Sequence, residues 1–182
     1  MDLVVIDCQY DFIEGSLACK HAKEAVNNII DFINNNDVNV YYTLDWHTAT
    51  NKSFEINGGV WPVHCVQNQN GSKLDDAFYE KLIDVDNRPN DKNMFYKGID
   101  DEIEEYSAFY AKNSNDQILG EILQNEVVVC GIASEFCVRE TILDLLNSGR
   151  KVKVFLKGIG YVDEDGHNKN LADLVEKRVD FI

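Results

Sequence analysis

Apolar positions along this chain follow two rhythms. Leu3–Ile6 is a short unbroken apolar run, as expected of a strand buried on both faces. Ala22, Val26, Ile29, Ile30 and Ile33 then recur at the spacing of a helix with one buried face. Val38–Leu44 is β-branched and aromatic and predicts a second strand, and Val127–Cys130 and Val152–Leu156 predict two more. Helices are expected over Ser72–Ile83, Asp116–Leu123, Val138–Leu146 and Leu171–Lys177, with a terminal strand over Val179–Ile182. Gly149 stands where a helix C-cap glycine belongs. Strands alternating with helices predict an α/β protein with a mostly parallel central sheet covered on both faces, a three-layer α/β/α arrangement. There is no internal repeat, low-complexity tract or linker, so one domain over residues 1–182 is expected.

Such sheets bind ligands outside the carboxyl ends of their strands. That rule selects Asp7, the stretch from Asp45 to His47, and the stretch from Gly131 to Cys137. A polar, glycine-containing loop runs from Asn51 to Ser72, and loops of that length are often functional.

Cys137 follows a buried strand and a turn of small residues, at the predicted start of a helix. Free N–H groups and the positive end of the helix dipole stabilise a thiolate there and can hold an oxyanion. The placement suits a nucleophile, and it equally suits a small buried side chain. Asp7 suits a general acid/base, or a residue that caps the following turn. Asp45 and His47 are two apart on an extended segment, so their side chains share a face. His64 lies in the following loop. One carboxylate and two imidazoles suit a divalent transition metal, the alternative being an Asp–His hydrogen bond and an unrelated surface histidine. Spacing alone gives no reason to single out Lys97.

Composition narrows the choice. The 182 residues include 32 acidic and 17 basic side chains, a net charge of −15. Nucleic acid and anionic membrane both call for basic surface, so neither is expected as a partner. No segment approaches a membrane span, and the N-terminus lacks the basic region and apolar length of a signal peptide, so a cytoplasmic location is expected. The five cysteines match no disulfide scaffold or zinc-site spacing and are expected to be free thiols. Nothing in the pattern excludes a homo-oligomer.

Several segments, taken together, carry a resemblance. They are Val5 to Phe12 (VIDCQYDF), Asp45-Trp46-His47, Ser53-Phe54, Trp61 to Cys65 (WPVHC), Lys97 to Asp100 with Tyr106 to Phe109, and Cys130 to Val138 (CGIASEFCV). In this order and at these separations they resemble the isochorismatase-like cysteine hydrolases, and within them the nicotinamidase/pyrazinamidase group. The resemblance runs from residue 2 to the C-terminus. It implies the isochorismatase-like hydrolase fold, with Cys137 as nucleophile, Asp7 as general acid/base and Lys97 as third member of a triad. It implies a divalent metal on Asp45, His47 and His64, with zinc favoured and iron or manganese as alternatives. Phe12, Leu17, Trp61 and Tyr106 would line a pyridine pocket. The backbone N–H groups of Ala133 and Cys137 would form the oxyanion hole, with a non-proline cis peptide before Ala133. The implied reaction is deamidation of nicotinamide to nicotinate and ammonia through a thioester, serving NAD salvage. The alternative is a related amidohydrolase acting on an N-carbamoyl, ureido or biuret-like compound. This chain departs from the group's pattern at Thr48, in place of proline, at Asn51, in place of histidine, and in a short Gly15–Lys20 stretch. Glu55, in the same loop, is a further candidate for the metal's surroundings.

Overall fold

The computed structural model describes all 182 residues. Its strands are β1 (Asp2–Ile6), β2 (Asn39–Asp45), β3 (Met94–Lys97), β4 (Glu126–Gly131), β5 (Lys151–Ile159) and β6 (Asp180–Phe181). They form one six-stranded sheet in the order β3-β2-β1-β4-β5-β6. Every neighbouring pair is parallel, so the expected mostly parallel sheet is parallel throughout. The helices are α1 (Tyr10–Ile13), α2 (Ala22–Asn35), α3 (Ala77–Glu80), α4 (Leu119–Ile122), α5 (Arg139–Asn147) and α6 (Glu164–Glu176). None is long and apolar enough to cross a membrane.

β1 lies between β2 and β4, and all of its residues are buried. That position is why its apolar run does not alternate. Its one charged residue, Asp2, is paired: it accepts the Asn39 side-chain amide at 3.0 Å and the Gln124 N–H at 2.7 Å. β3 is an edge strand of four residues, alternating half-buried and buried. It is too short and too mixed to stand out in the sequence pattern, and the reading above misses it.

The chain winds from β1 to β2 and β3 on one side, then returns through β4 and winds outward to β5 and β6. Right-handed crossovers running in opposite directions place their helices on opposite faces of the sheet. The crevice at the carboxyl ends of β1 and β4 is the point where the winding reverses, the usual ligand site of such sheets. Gly131 makes the crevice tight. Its φ is +116°, and a Cβ there would lie 2.1 Å from the Ile6 carbonyl oxygen.

Three expected helices change length. α6 begins at Glu164, well before Leu171, because the Asp163 carboxylate caps the Gly166 N–H at 2.8 Å and Glu164 and Asp165 suit the first turn. Of Ser72–Ile83, only Ala77–Glu80 is helical: Leu74 is drawn into an antiparallel bridge with Gln9, and Asp75 caps the Ala77 N–H at 2.9 Å. Asp116–Leu123 contracts to α4, since Ile118 is held extended by a bridge to Lys112.

Candidate active site

Three side chains meet at the carboxyl ends of β1, β3 and β4. Asp7 directly follows β1 with φ 45°, a left-handed conformation that aspartate tolerates better than most residues. The turn is held by Thr43, whose hydroxyl donates to Asp7 Oδ1 at 2.5 Å. Lys97 is the last residue of β3 and is 1% exposed. Its ammonium lies 2.9 Å from Asp7 Oδ2 and 3.5 Å from Cys137 Sγ, and it also contacts Asp45 Oδ1. Asp7 Oδ2 is thus ion-paired with the Lys97 ammonium. Asp7, Asp45 and Cys137 offer ligand atoms within 4.8 Å of one another.

Cys137 lies in a single wide helical turn, Ser134–Val138, that leads into α5. The Ala133 carbonyl accepts the N–H groups of Phe136 and Val138 and passes over that of Cys137. The Ala133 N–H makes no backbone hydrogen bond, and the Ile132–Ala133 peptide is cis. Both residues line the cavity. The sequence pattern offered the helix start as a stabiliser of a Cys137 thiolate, and the resemblance added Lys97. In the structure desolvation is stronger: burial pushes the Cys137 thiol well above its ordinary value against the pull of Lys97. Burial thus favours the thiol over the thiolate, and a base beside it would help ionise it. Burial also raises the Asp7 carboxyl, partly offset by Lys97. Burial alone would lower Lys97, but Asp45 and Asp7 outweigh it and keep the ammonium charged.

Asp45, His47 and His64 form a second cluster, with one ligand atom from each within 4.8 Å of the others. Asp45 Oδ2 lies 3.5 Å from His47 Nε2 and 3.9 Å from His64 Nε2. His47 Nδ1 pairs with the Gly98 carbonyl and His64 Nδ1 with the Pro62 carbonyl, each at 2.7 Å. Both rings thus donate Nδ1–H to backbone and turn a free Nε2 inward, the arrangement that fixes metal-binding histidines. With both carboxylates ionised, the buried site carries one more negative than positive charge, which a cation would balance. The donor set fits a divalent metal. Gly98 permits the approach: its φ is +68°, and a Cβ would lie 2.4 Å from the His47 ring. Asn51 is buried beside His47, but its carbonyl oxygen accepts the Ser53 N–H at 2.9 Å and it is not in the cluster. Glu55 is exposed and does not line the cavity.

Between the clusters lies a mainly apolar slot. Phe12, Leu17, Trp61 and Tyr106 all line it, as do Phe136 and Val162, which the sequence reading did not single out. Trp61 and Phe136 meet edge to face with centroids 5.0 Å apart. Glu104, at the rim, accepts the Trp61 indole N–H at 2.6 Å and pairs with the Tyr106 hydroxyl, fixing both rings. Gln9 was also missed. Its amide donates to the Asp45 carbonyl at 2.8 Å and its oxygen accepts the Asp45 N–H at 2.9 Å, tying the ends of β1 and β2 together. Its signal was its place two residues after Asp7.

Comparison with known proteins identifies the family. The Isochorismatase domain family matches residues 2–181. A nicotinamidase of Escherichia coli (strain K12) is 32% identical over 180 residues, covering 86% of this chain and 81% of that protein. A pyrazinamidase of Pyrococcus horikoshii, solved in complex with zinc, superposes with a TM-score of 0.83 at 27% identity, covering 100% of this chain and 97% of the other. The yeast nicotinamidase bound to the inhibitor nicotinaldehyde gives a TM-score of 0.83 at 27% identity, covering 100% and 98%. This chain therefore belongs to the isochorismatase family, and its likeness within that family runs to the nicotinamidases and pyrazinamidases.

Proposed function

We propose that this chain hydrolyses nicotinamide to nicotinate and ammonia through a thioester on Cys137. The observation that carries the reading is that Cys137, with Asp7 and Lys97 buried behind it, opens into an aromatic slot that also meets Asp45, His47 and His64. A flat ring would lie against Phe12 and the touching Trp61–Phe136 pair, with its carboxamide toward Cys137.

Asp7, within 4.8 Å of the sulfur, takes the thiol proton as sulfur attacks the amide carbon. The carbonyl oxygen gains charge facing the N–H groups of Ala133 and Cys137. The C–N bond then breaks as Asp7 returns the proton to nitrogen, and ammonia leaves. In the second half Asp7 takes a proton from water, which attacks the thioester; the C–S bond breaks and the thiol recovers its proton. Lys97 stays charged and offsets the negative charge that moves between Asp7 and sulfur. Asp45, His47 and His64 would hold a divalent ion, zinc in the first instance with iron or manganese as alternatives, which supplies a Lewis acid toward the ring nitrogen. The nicotinate released in the cytoplasm would enter NAD salvage.

The test is ammonia release from nicotinamide by zinc-supplemented protein. Wild type should turn over, and Cys137→Ala should fall by at least about 10³-fold, as removal of a nucleophile does elsewhere. Equal rates would refute the proposal, and turnover of an N-carbamoyl compound instead would select that related chemistry.

A further inference from the structure

The turn that carries Ala133 and Cys137 is held from behind. Ser134 is 1% exposed, does not line the cavity, and has every polar group engaged on the far side. Its N–H donates to the Gly160 carbonyl at 2.9 Å, and its carbonyl accepts the Asn170 amide at 2.7 Å. Its hydroxyl oxygen accepts Asn170 Nδ2 at 3.2 Å and lies 2.7 Å from His167 Nδ1. Glu135 beside it accepts the N–H groups of Val162 and Asp163 at 3.0 and 2.7 Å.

These contacts assign the protons. Asn170 Nδ2 can only donate, so His167 Nδ1 is the one acceptor within reach of the buried Ser134 hydroxyl hydrogen, which places the ring proton on Nε2. The ring is itself fixed by stacking on Tyr161, with centroids 4.5 Å apart and planes at 11°. Burial holds it below the ordinary imidazole value; the charged groups facing it are Glu135 from the turn, Glu164 from α6 and His21 from the start of α2.

We infer that His167 is a positioning residue: by accepting the Ser134 hydroxyl it fixes the turn whose N–H groups meet the oxyanion. The inference rests on the amide-hydrolysis reading above. Ser134 itself is no nucleophile, since it faces away from the slot.

Two substitutions separate the ring from the acceptor. His167→Phe keeps a ring against Tyr161 and removes Nδ1. His167→Asn loses the ring and keeps an acceptor near the same place. For His167→Phe, kcat on nicotinamide should fall about tenfold, with KM changed less than about twofold, since small displacements of a reacting geometry are costly. Affinity for nicotinaldehyde should fall in parallel. The Cys137 thiol adds reversibly across such an aldehyde: sulfur bonds to carbon as the C=O π bond opens, Asp7 takes the thiol proton, and the resulting oxyanion needs the same donors. His167→Asn should recover most of the loss. Ser134→Ala should lower kcat similarly, and the double variant Ser134→Ala with His167→Phe should be no worse than either single. A His167→Phe kcat within twofold of wild type, a loss carried by KM, or additive effects would overturn the inference. If His167→Phe does not fold, Ser134→Ala against His167→Asn reads the same effect: a lowered kcat in the first and near-wild-type kcat in the second support it, and equal values overturn it. Wild type inactive on nicotinamide overturns the amide reading as well; an active wild type with an unaffected variant overturns this inference alone.

Discussion

Lys97 is a buried cation between two buried carboxylates, and it is the one lysine or arginine paired with either. Lys97→Met should therefore abolish amide hydrolysis and destabilise the chain by about 3–5 kcal/mol, as removal of one partner from a buried ion pair does. Urea unfolding beside an ammonia assay checks both, and a stable variant would mean that the carboxylates are solvated. His167 gives a pH signature. It binds a proton less readily in the folded chain than an ordinary imidazole does. Its stabilising effect is thus complete above the ordinary imidazole range and declines as pH falls through and below it. The gap in thermal midpoint between wild type and His167→Asn should narrow from about pH 8 to about pH 5, where an unperturbed imidazole becomes charged. A widening gap would reverse the assigned proton. Among these residues, legibility followed the strands. Asp7, Asp45, His47 and Cys137 follow apolar runs that any reader of the pattern sees, so the strand-end rule reached them. Lys97 obeys the same rule, but β3 was invisible, and resemblance alone identified it. His167 lay in a polar stretch ahead of the expected last helix and carried no signal.

At the level of elements, the turn into α5 is tied to the segment after β3 by one hydroxyl. Thr141 Oγ1 donates to the Cys137 carbonyl at 2.7 Å and accepts the Ala108 N–H at 2.9 Å. The residue is fully buried, so Thr141→Val leaves two backbone groups without partners at nearly unchanged volume. A loss of about 1–3 kcal/mol is expected in urea unfolding, with a rise in KM as the Tyr106 segment loosens. Wild-type stability would show that water replaces the hydroxyl. The central strands and helices α2 and α5 were legible, because burial on a defined face imposes a period. Segments such as Ser72–Ile83 were not, because side chains compete there with the helix. Asp75 caps it late, and Leu74 pairs with Gln9 instead.

On the scale of the whole molecule, the sheet brings residues 7, 45, 97 and 137 to one edge of one crevice. Winding order set that convergence, and alternating strands and helices already implied a parallel sheet. The order β3-β2-β1-β4-β5-β6 was not legible, because crossover direction depends on packing between distant segments. The metal cluster spans β2 and the Asn51–Ser72 loop, so a bound ion would pin that loop to the sheet. Chelator should lower the thermal midpoint and added zinc restore it, with about 2.7 kcal/mol expected at a hundredfold excess over Kd. His64→Ala should show neither response, and a response unchanged by that substitution would place the ion elsewhere. Asp45 has a consequence for descent. One of its oxygens meets Lys97 and the other faces both imidazoles. No single substitution there can discard the ion and spare the lysine's counter-charge. Loss of His47 or His64 can discard the ion and leave Asp45 and Asp7 as counter-charges to Lys97, so the two halves of the site part most readily through the imidazoles.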